Sequence, residues 1–151
     1  MTVRRGKRND APTYRITSNT LALLPAIDID YQTRIIEQDG ERYVTSPPFA
    51  IIKENCIHYG ASYEGRKKSV QHHLAFQQKT PIPIYPDKQL FAFSTEAATS
   101  YTCVWLLFHA ITQIESISST QSRIHFINQQ TIILPISTYV SRKHRKSTTI
   151  N

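Results

Sequence analysis

Two hairpin patterns restrict the fold of this chain more than any other feature of its sequence. An Asp-Gly pair separates residues 33–37 from residues 41–45, and both flanking segments are rich in residues that favour strands. Such a pair between two strand-like segments is the strongest short-range signal for a tight β-turn. Residues 123–127 and 131–134 form a second pattern of this kind. The sequence therefore predicts a fold built mainly from antiparallel strands.

A helix is predicted from residue 64 to residue 76. Val70 and Leu74 share a helical face because they are four residues apart, and Glu64 in the first turn suits the helix dipole. Together with the hairpins, this predicts an α+β fold: a β-rich single domain with antiparallel hairpins and one or two helices. Further strands are predicted at residues 27–31, 49–52, 90–93, 103–108 and, with helix as the alternative, 111–117.

Basic residues are concentrated at the two ends of the chain. The formal net charge is +7, and residues 4–8 and 142–146 each contain four of the 18 lysines and arginines. Ten cations then remain against all 11 acids, so the body of the chain is close to neutral. This predicts a disordered basic arm at residues 1–12, one folded domain at residues 13–140 and a disordered basic tail at residues 141–151. Such ends add salt-sensitive attraction to nucleic acid, or are merely solvated.

The body has its densest group of binding-type residues at positions 59–68, which read Tyr-Gly-Ala-Ser-Tyr-Glu-Gly-Arg-Lys-Lys. Glycine allows close backbone approach, tyrosine offers a stacking surface, and three consecutive cations suit phosphate. A helix that starts here would also direct its first N–H groups at an anion. This pattern predicts a nucleic-acid contact, with core tyrosines and a solvated cationic face as the alternatives. The candidate contact residues are Ser62, Tyr63, Gly65, Arg66, Lys67 and Lys68.

Catalysis has weaker support. Cys56 with His58, or Cys103 with His109, would supply a nucleophile and a base, but nothing in the sequence fixes either geometry. Buried structural cysteines are the better interpretation. The sequence contains no phosphate-binding loop, nucleophile elbow or zinc-protease motif. We therefore expect no enzymatic activity and no cofactor.

Metal binding is also a weaker alternative. Cys56, His58, Cys103 and a further histidine lack the spacing of zinc ligands. Adjacent histidines such as His72 and His73 point about 100° apart on a helix and rarely share one ion. Asp28 and Asp30 are better interpreted as solvent-facing acids. The sequence shows neither a signal peptide nor an apolar run that would span a bilayer, so we expect a cytoplasmic protein with reduced thiols and no membrane contact.

Several short motifs, taken together, resemble the competence transcription factor (ComK) family. Gly-x-Ser-Tyr-x-Gly-Arg-Lys begins at Gly60, Cys-x-Trp at Cys103 and Leu-Pro-Ile-Ser at Leu134, in the family's order. The resemblance covers about residues 13–140. It implies a cytoplasmic, nucleoid-associated DNA-binding activator that switches on genes for DNA uptake.

The resemblance also implies how such a protein binds DNA. Family members recognise paired A/T-rich promoter boxes chiefly through the minor groove, bind as multimers and are controlled by adaptor-assisted proteolysis. Double-stranded A/T-rich DNA, further copies of the chain and a proteolytic adaptor are thus the implied partners. Arg66 and Lys67 match the family's basic positions. We expect Arg66 to enter the minor groove, because guanidinium loses hydration readily, and Lys67 and Lys68 to neutralise phosphates.

Three departures from the family's pattern keep a second hypothesis open. Ser100 stands where relatives can carry a cation, and residues 107–108 are more apolar than expected after Trp105. The chain also ends soon after its Leu-Pro-Ile-Ser motif, without the segment associated with adaptor docking and full activation. The alternative is a truncated, non-activating fragment that only self-associates or binds a protein partner. A Cys/His enzyme or metal protein is the third hypothesis.

Overall fold

The strands form two antiparallel sheets, a larger one of six strands and a smaller one of three. The computed structural model describes residues 13–74 and 81–136, with the backbone alone for residues 69–74. The strands are β1 (Thr20–Pro25), β2 (Thr33–Glu37), β3 (Gly40–Val44), β4 (Ile82–Tyr85), β5 (Leu90–Ser94), β6 (Trp105–Leu107), β7 (Ile111–Ser118), β8 (Gln121–Phe126) and β9 (Thr131–Leu134). The larger sheet has the order β3-β2-β1-β6-β5-β4, and the smaller sheet has the order β7-β8-β9.

The hairpin predicted around the Asp-Gly pair is confirmed. β2 and β3 pair antiparallel, with Glu37 opposite Gly40 at the turn. The Arg34 guanidinium donates to both carboxylate oxygens of Glu41 at 3.0 and 2.9 Å, and Arg42 Nε donates to Glu37 at 3.2 Å. Opposite charges on paired strands favour this register over a shifted one.

The second predicted hairpin is confirmed by β8 and β9, and residues 111–117 lie in a strand rather than a helix. The smaller sheet is not a separate unit, because its buried side chains, such as Ile124 and Phe126, belong to the same core as the larger sheet. Asn128 Nδ2 also donates to the carbonyl of Gln38 at 3.1 Å, which joins the turns of the two hairpins.

Two helices, α1 (Pro48–His58) and α2 (Tyr63–Leu74), pack against the larger sheet. α1 contacts β1 and β4, and α2 contacts β4. α2 confirms the helix predicted from residue 64, although the predicted last residue lies outside the described part of the chain. The strand predicted at residues 49–52 is wrong, because these residues form the first turn of α1.

Helix prevails over local strand propensity in α1 for two reasons. Pro48 occupies the first turn, where its missing N–H would have no helical acceptor. The spacing of the apolar residues also matches one face of a helix, which packs against the sheet. The buried residues on this face are Ile51, Ile52, Asn55 and Cys56.

Asn55 fixes the segment that precedes β1 onto α1. Its Oδ1 accepts the backbone N–H of Ile16 at 2.9 Å, and its Nδ2 donates to the carbonyls of Tyr14 and Ile51 at 2.8 and 2.9 Å. A buried amide is tolerated in a core when its donors and its acceptor are satisfied in this way. Residues 14–16 are therefore part of the fold although they lie in no strand.

Residues 27–31, predicted as a strand, form a loop between β1 and β2. Asp28 Oδ1 accepts the backbone N–H groups of Asp30 and Tyr31 at 2.7 and 3.2 Å. These bonds stabilise a turn, which forms in place of hydrogen bonds to a neighbouring strand. Ile27 and Ile29 face solvent. The alternation of apolar and acidic residues thus belongs to an exposed turn, not to a half-buried strand.

The predicted central strand is confirmed, since β6 lies between β1 and β5 and is wholly buried. Trp105 of β6, Phe93 and Phe126 are the largest fully buried side chains of the core. The architecture of the described residues is α+β: β-rich and antiparallel, with two α-helices. The predicted basic arm at residues 1–12 and the basic tail at residues 141–151 lie outside the described residues.

Candidate nucleic-acid interface

The candidate contact residues lie where α1 ends and α2 begins, at residues 59–68, which we call the helix corner. The N–H of Gly60 donates to the carbonyl of Ile57 at 3.0 Å, and that of Ala61 donates to Cys56 at 3.1 Å. These two bonds are the Schellman pattern that terminates a helix. Gly60 has φ +121°, a conformation that residues with a Cβ rarely adopt. The first motif glycine is therefore required by the end of α1.

Ser62 begins α2. Its Oγ accepts the N–H of Gly65 at 3.0 Å, which satisfies one of the free donors of the first turn. A Cβ at Gly65 would lie 3.1 Å from that Oγ, so glycine leaves room for the capping hydroxyl. Both residues are exposed at this end of the helix. The serine and the second glycine of the motif thus serve helix initiation.

Tyr63 is buried in the core. Its side chain is only 8% exposed, and its ring meets the rings of Phe49 and Trp105 edge to face, with centroids 5.0 and 6.3 Å apart. Burial raises the pKa of the Tyr63 hydroxyl. Since a base cannot stack on a buried ring, the structure gives Tyr63 a packing role that anchors α2 to the sheet.

Arg66 is partly buried and holds the corner together. Its Nη2 donates to the carbonyl of Tyr59 at 2.8 Å, at the end of α1 where the helix dipole favours a cation. Its Nε is buried without a hydrogen-bond partner among the described residues. Entry of Arg66 into a DNA groove would require release of the Tyr59 carbonyl, so the predicted insertion competes with a structural contact.

Lys67 and Lys68 are exposed on the second turn of α2. The ion pairs within the described residues involve Arg34, Arg42, Arg123 and His125, and neither of these lysines. Both ammonium groups are therefore available to an external anion. Of the predicted contact residues, these two have the exposure and charge that phosphate binding requires.

Tyr59, the other motif tyrosine, is half-buried. Its ring stacks on Tyr85 of β4, with centroids 4.1 Å apart and planes 8° from parallel, and its hydroxyl donates to the carbonyl of Ile16 at 2.7 Å. Burial raises the pKa of this hydroxyl too. The stack joins the end of α1 to the edge strand β4, and the hydrogen bond joins it to the segment before β1.

The cysteine–histidine pairs do not form a reactive site within the described residues. The thiols of Cys56 and Cys103 are both buried. Burial raises the pKa of the Cys56 thiol to about 11, although the nearby Arg66 guanidinium lowers it. His58 packs against the ring of Tyr59, and His109 Nε2 lies 2.9 Å from the carbonyl of Ser18. A protonated, buried thiol is a poor nucleophile.

The described side chains contain no group of three or more His, Cys, Asp or Glu residues placed to hold a metal ion. The side chains of His72 and His73 lie outside the described residues. Neither described helix has the length and the apolar character that crossing a lipid bilayer would require.

Sequence reasoning missed one exposed feature, the loop residues Ile27 and Ile29, because their alternation with aspartates imitates a strand. It also missed the exposed Tyr101, which lies in the loop between β5 and β6. Proline at position 25 and the two aspartates were available signals for a turn at residues 27–31.

Comparisons with known proteins agree with the motif pattern. A family model described as ComK protein matches residues 11–150. The chain is also 32% identical over 134 residues to the competence transcription factor of Bacillus subtilis (strain 168), a match that covers 87% of this chain and 70% of that protein. No solved structure matches the chain.

Proposed function

Because the chain belongs to the ComK protein family, we propose that it is a DNA-binding transcription activator of genes for DNA uptake, and not an enzyme. It recognises paired A/T-rich promoter boxes, mainly through the minor groove. The observation that supports a DNA contact at the helix corner is the exposed pair Lys67 and Lys68 at the start of α2.

In this proposal Lys67 and Lys68 neutralise phosphates beside the groove. The exposed Ser62 and Gly65 bring the main chain at the start of α2 close to the same DNA phosphates. Glu64 in the first turn offsets part of this charge. A narrow A-tract groove concentrates negative potential and attracts cations without base-specific hydrogen bonds. The modest positive charge at the start of α2 therefore suits recognition by groove shape.

Arg66 and Tyr63 act from behind this surface. Tyr63 fixes the start of α2 on the core, and Arg66 holds the end of α1 through the Tyr59 carbonyl. Together they set where the two lysines stand relative to DNA. Arg66 enters the minor groove only in a rearranged corner, in which another donor serves the Tyr59 carbonyl.

Paired boxes require more than one copy of the protein, so we propose that the chain binds its promoters as a homo-oligomer in the cytoplasm, on the nucleoid. The basic segments at residues 4–8 and 142–146 add sequence-independent attraction to the same DNA. Control by a proteolytic adaptor is the remaining partnership that we propose from family membership.

A salt titration of DNA affinity tests the lysine contacts. Lys67→Ala/Lys68→Ala should reduce the slope of log affinity against log salt by about 1.8, since each phosphate contact contributes about 0.9. The matched control is Lys53→Ala/Lys88→Ala, which removes the same charge from two other exposed lysines. Both variants are compared with the parent chain on an A/T-box duplex and on a G/C-rich duplex of equal length.

Equal slopes for the two variants would show that the DNA contact lies elsewhere on the protein. Equal affinity of the parent for the A/T-box and G/C-rich duplexes would contradict the proposed preference for A/T-rich DNA. Binding by the parent without activation of transcription from such a promoter would favour the non-activating alternative.

A further inference from the structure

We propose that the turn between β4 and β5, residues 86–89, is a second DNA-contacting element, in which the side chain of Gln89 reads A·T base pairs in the minor groove. We call these four residues the hairpin tip. The proposal rests on the proposed function. It assigns to one side chain the groove contact that Arg66 makes only in a rearranged corner.

The hairpin tip lies beside the helix corner. Tyr85, the last residue of β4, stacks on Tyr59 of the corner with ring centroids 4.1 Å apart, and the tip begins at the next residue. Both α1 and α2 also contact β4. Tyr85 pairs with Leu90 across the hairpin, so the tip extends from the point at which β4 meets the corner. A DNA duplex that contacts the corner therefore lies within reach of the tip.

The hairpin tip is exposed but ordered. All four of its residues are exposed, whereas Leu90, which follows them, is buried in the core. The N–H of Gln89 donates to the carbonyl of Pro86 at 2.9 Å, which closes the turn. An element that is already ordered loses less conformational entropy when it binds a partner. The tip can therefore present a side chain to DNA in a fixed position.

Gln89 has an unusual backbone conformation for its residue type. Its φ is +58° and its ψ is +37°, in the left-handed region that glycine and asparagine adopt most readily. Among the described residues other than glycine, Gln129 alone shares a positive φ, at +76°. A glycine at position 89 would adopt this turn at lower conformational cost. Folding therefore does not account for the exposed amide side chain at this position.

The charge of the hairpin tip favours base reading over phosphate neutralisation. Asp87 and Lys88 are adjacent, and their opposite charges offset each other. We therefore assign no phosphate contact to Lys88. The tip adds little to the salt-dependent attraction that Lys67 and Lys68 provide at the corner. What the tip offers to DNA is the uncharged amide of Gln89.

The Gln89 amide supplies the donors that an A·T minor groove accepts. A·T pairs present only acceptors in this groove, adenine N3 and thymine O2, whereas a G·C pair adds the amino group of guanine. The amide N–H groups can donate to either acceptor, and the guanine amino group would occupy the same space. Glutamine is among the side chains that proteins use to read this groove. Such a contact distinguishes A·T from G·C pairs.

The test uses the other glutamine with positive φ as a matched control. Gln89→Gly removes the amide and suits the backbone, and Gln129→Gly does the same in the turn between β8 and β9. Gln89→Asn keeps an amide in a residue type that tolerates the left-handed region. The parent chain and the variants are titrated with an A/T-box duplex, a G/C-rich duplex and an A/T-box duplex in which 2,6-diaminopurine replaces adenine. Diaminopurine still pairs with thymine but adds an amino group to the minor groove.

Gln89→Gly should bind the A/T-box duplex about two- to tenfold more weakly than the parent, the range expected for one hydrogen bond. On the diaminopurine duplex the two proteins should have equal affinity, because the added amino group has already removed the contact. Gln129→Gly should match the parent on every duplex, and Gln89→Asn should bind the A/T-box duplex more tightly than Gln89→Gly does. The slope of log affinity against log salt should be unchanged in all variants, since none removes a charge.

Three results would overturn the proposal. If diaminopurine weakens binding of the parent and of Gln89→Gly by the same factor, the groove contact lies elsewhere on the protein. If Gln129→Gly loses as much affinity as Gln89→Gly, the effect comes from a turn backbone and not from the amide. If Gln89→Gly lowers the salt slope, the tip contacts phosphate and not bases. The proposed function fails separately, when the parent itself shows no preference for the A/T-box duplex over the G/C-rich duplex.

Discussion

The helix corner differs from two loops, residues 26–32 between β1 and β2 and residues 95–104 between β5 and β6, in what its distinctive residues face. In the corner, the recognisable motif is turned largely inward: Tyr63 lies in the core and Arg66 bonds a main-chain carbonyl. In the two loops, Ile27, Ile29 and Tyr101 face solvent, although their side chains would be suited to a core. In sequence the corner resembles a binding site, but in the structure it is mainly a folding element. The loops resemble a strand and a linker in sequence, but in the structure they expose large apolar side chains.

This difference shows that a dense sequence motif can be required by folding alone, whereas folding does not explain why large apolar side chains are exposed on a loop. Residues at the corner are specified together because two helix ends, a cap and a core contact meet within eight positions, 59–66. Exposed apolar residues on ordered loops have no such folding reason. A partner contact is thus better sought among residues whose exposure folding does not explain. These are Lys67 and Lys68 at the end of the corner and the exposed apolar residues of the loops.

The largest effect should separate two tyrosines. Tyr63→Ala should lower the free energy of unfolding by about 3–5 kcal/mol, because it leaves a cavity between Phe49 and Trp105. Tyr101→Ala should change it by less than about 0.5 kcal/mol, because its ring touches little of the fold. Urea denaturation of both variants measures the contrast. Similar losses would erase the distinction between corner and loops.

An intermediate effect should come from the end of α1. Gly60→Ala places a Cβ on a residue with φ +121°, and such strain costs about 1–3 kcal/mol. The nearest side-chain atom to that Cβ would be Arg66 Nη2 at 3.7 Å, so conformation rather than a clash is the cause. Thermal unfolding measures the loss. Unchanged stability would mean that the corner tolerates another backbone path.

The smallest effect should come from the start of α2. Ser62→Ala removes the cap on the Gly65 N–H and should cost about 1 kcal/mol. Ser62→Asp is the matched variant, since it retains an acceptor and adds a negative charge at the helix N-terminus. It should keep the stability of the parent but weaken DNA binding near Lys67 and Lys68. Equal DNA affinity of the two variants would argue against a contact at this helix end.

Much of the fold followed from local signals. The Asp-Gly turn, the apolar run that forms β6 and the helix from residue 64 depend on neighbours in the sequence, and the structure confirms each of them. α1 was missed because its first turn is rich in strand-forming residues, while the helix depends on packing against β1 and β4. The turn at Asp28 was missed because the alternation of apolar and acidic residues predicted a strand, whereas the side-chain hydrogen bonds of Asp28 stabilise a turn.

The candidate site was less predictable, because the same residue types serve packing and binding. The burial of Tyr63 depends on Phe49 and Trp105, which lie 14 and 42 positions away in the sequence. The bond from Arg66 to Tyr59 depends on how sharply the chain reverses at Gly60. The exposure of Lys67 and Lys68 was predictable from their charge alone. The remaining roles required tertiary contacts.

The order of strands in the larger sheet restricts how copies of this chain can associate. One edge is β4, which contains Pro83 and therefore lacks a donor in mid-strand. The other edge is β3, where Glu41 and Arg42 are held in ion pairs with β2. Proline and charge both discourage a foreign strand from extending a sheet. If the chain binds as a homo-oligomer, as proposed above, its copies would therefore meet through side chains and not by extending the larger sheet from either edge.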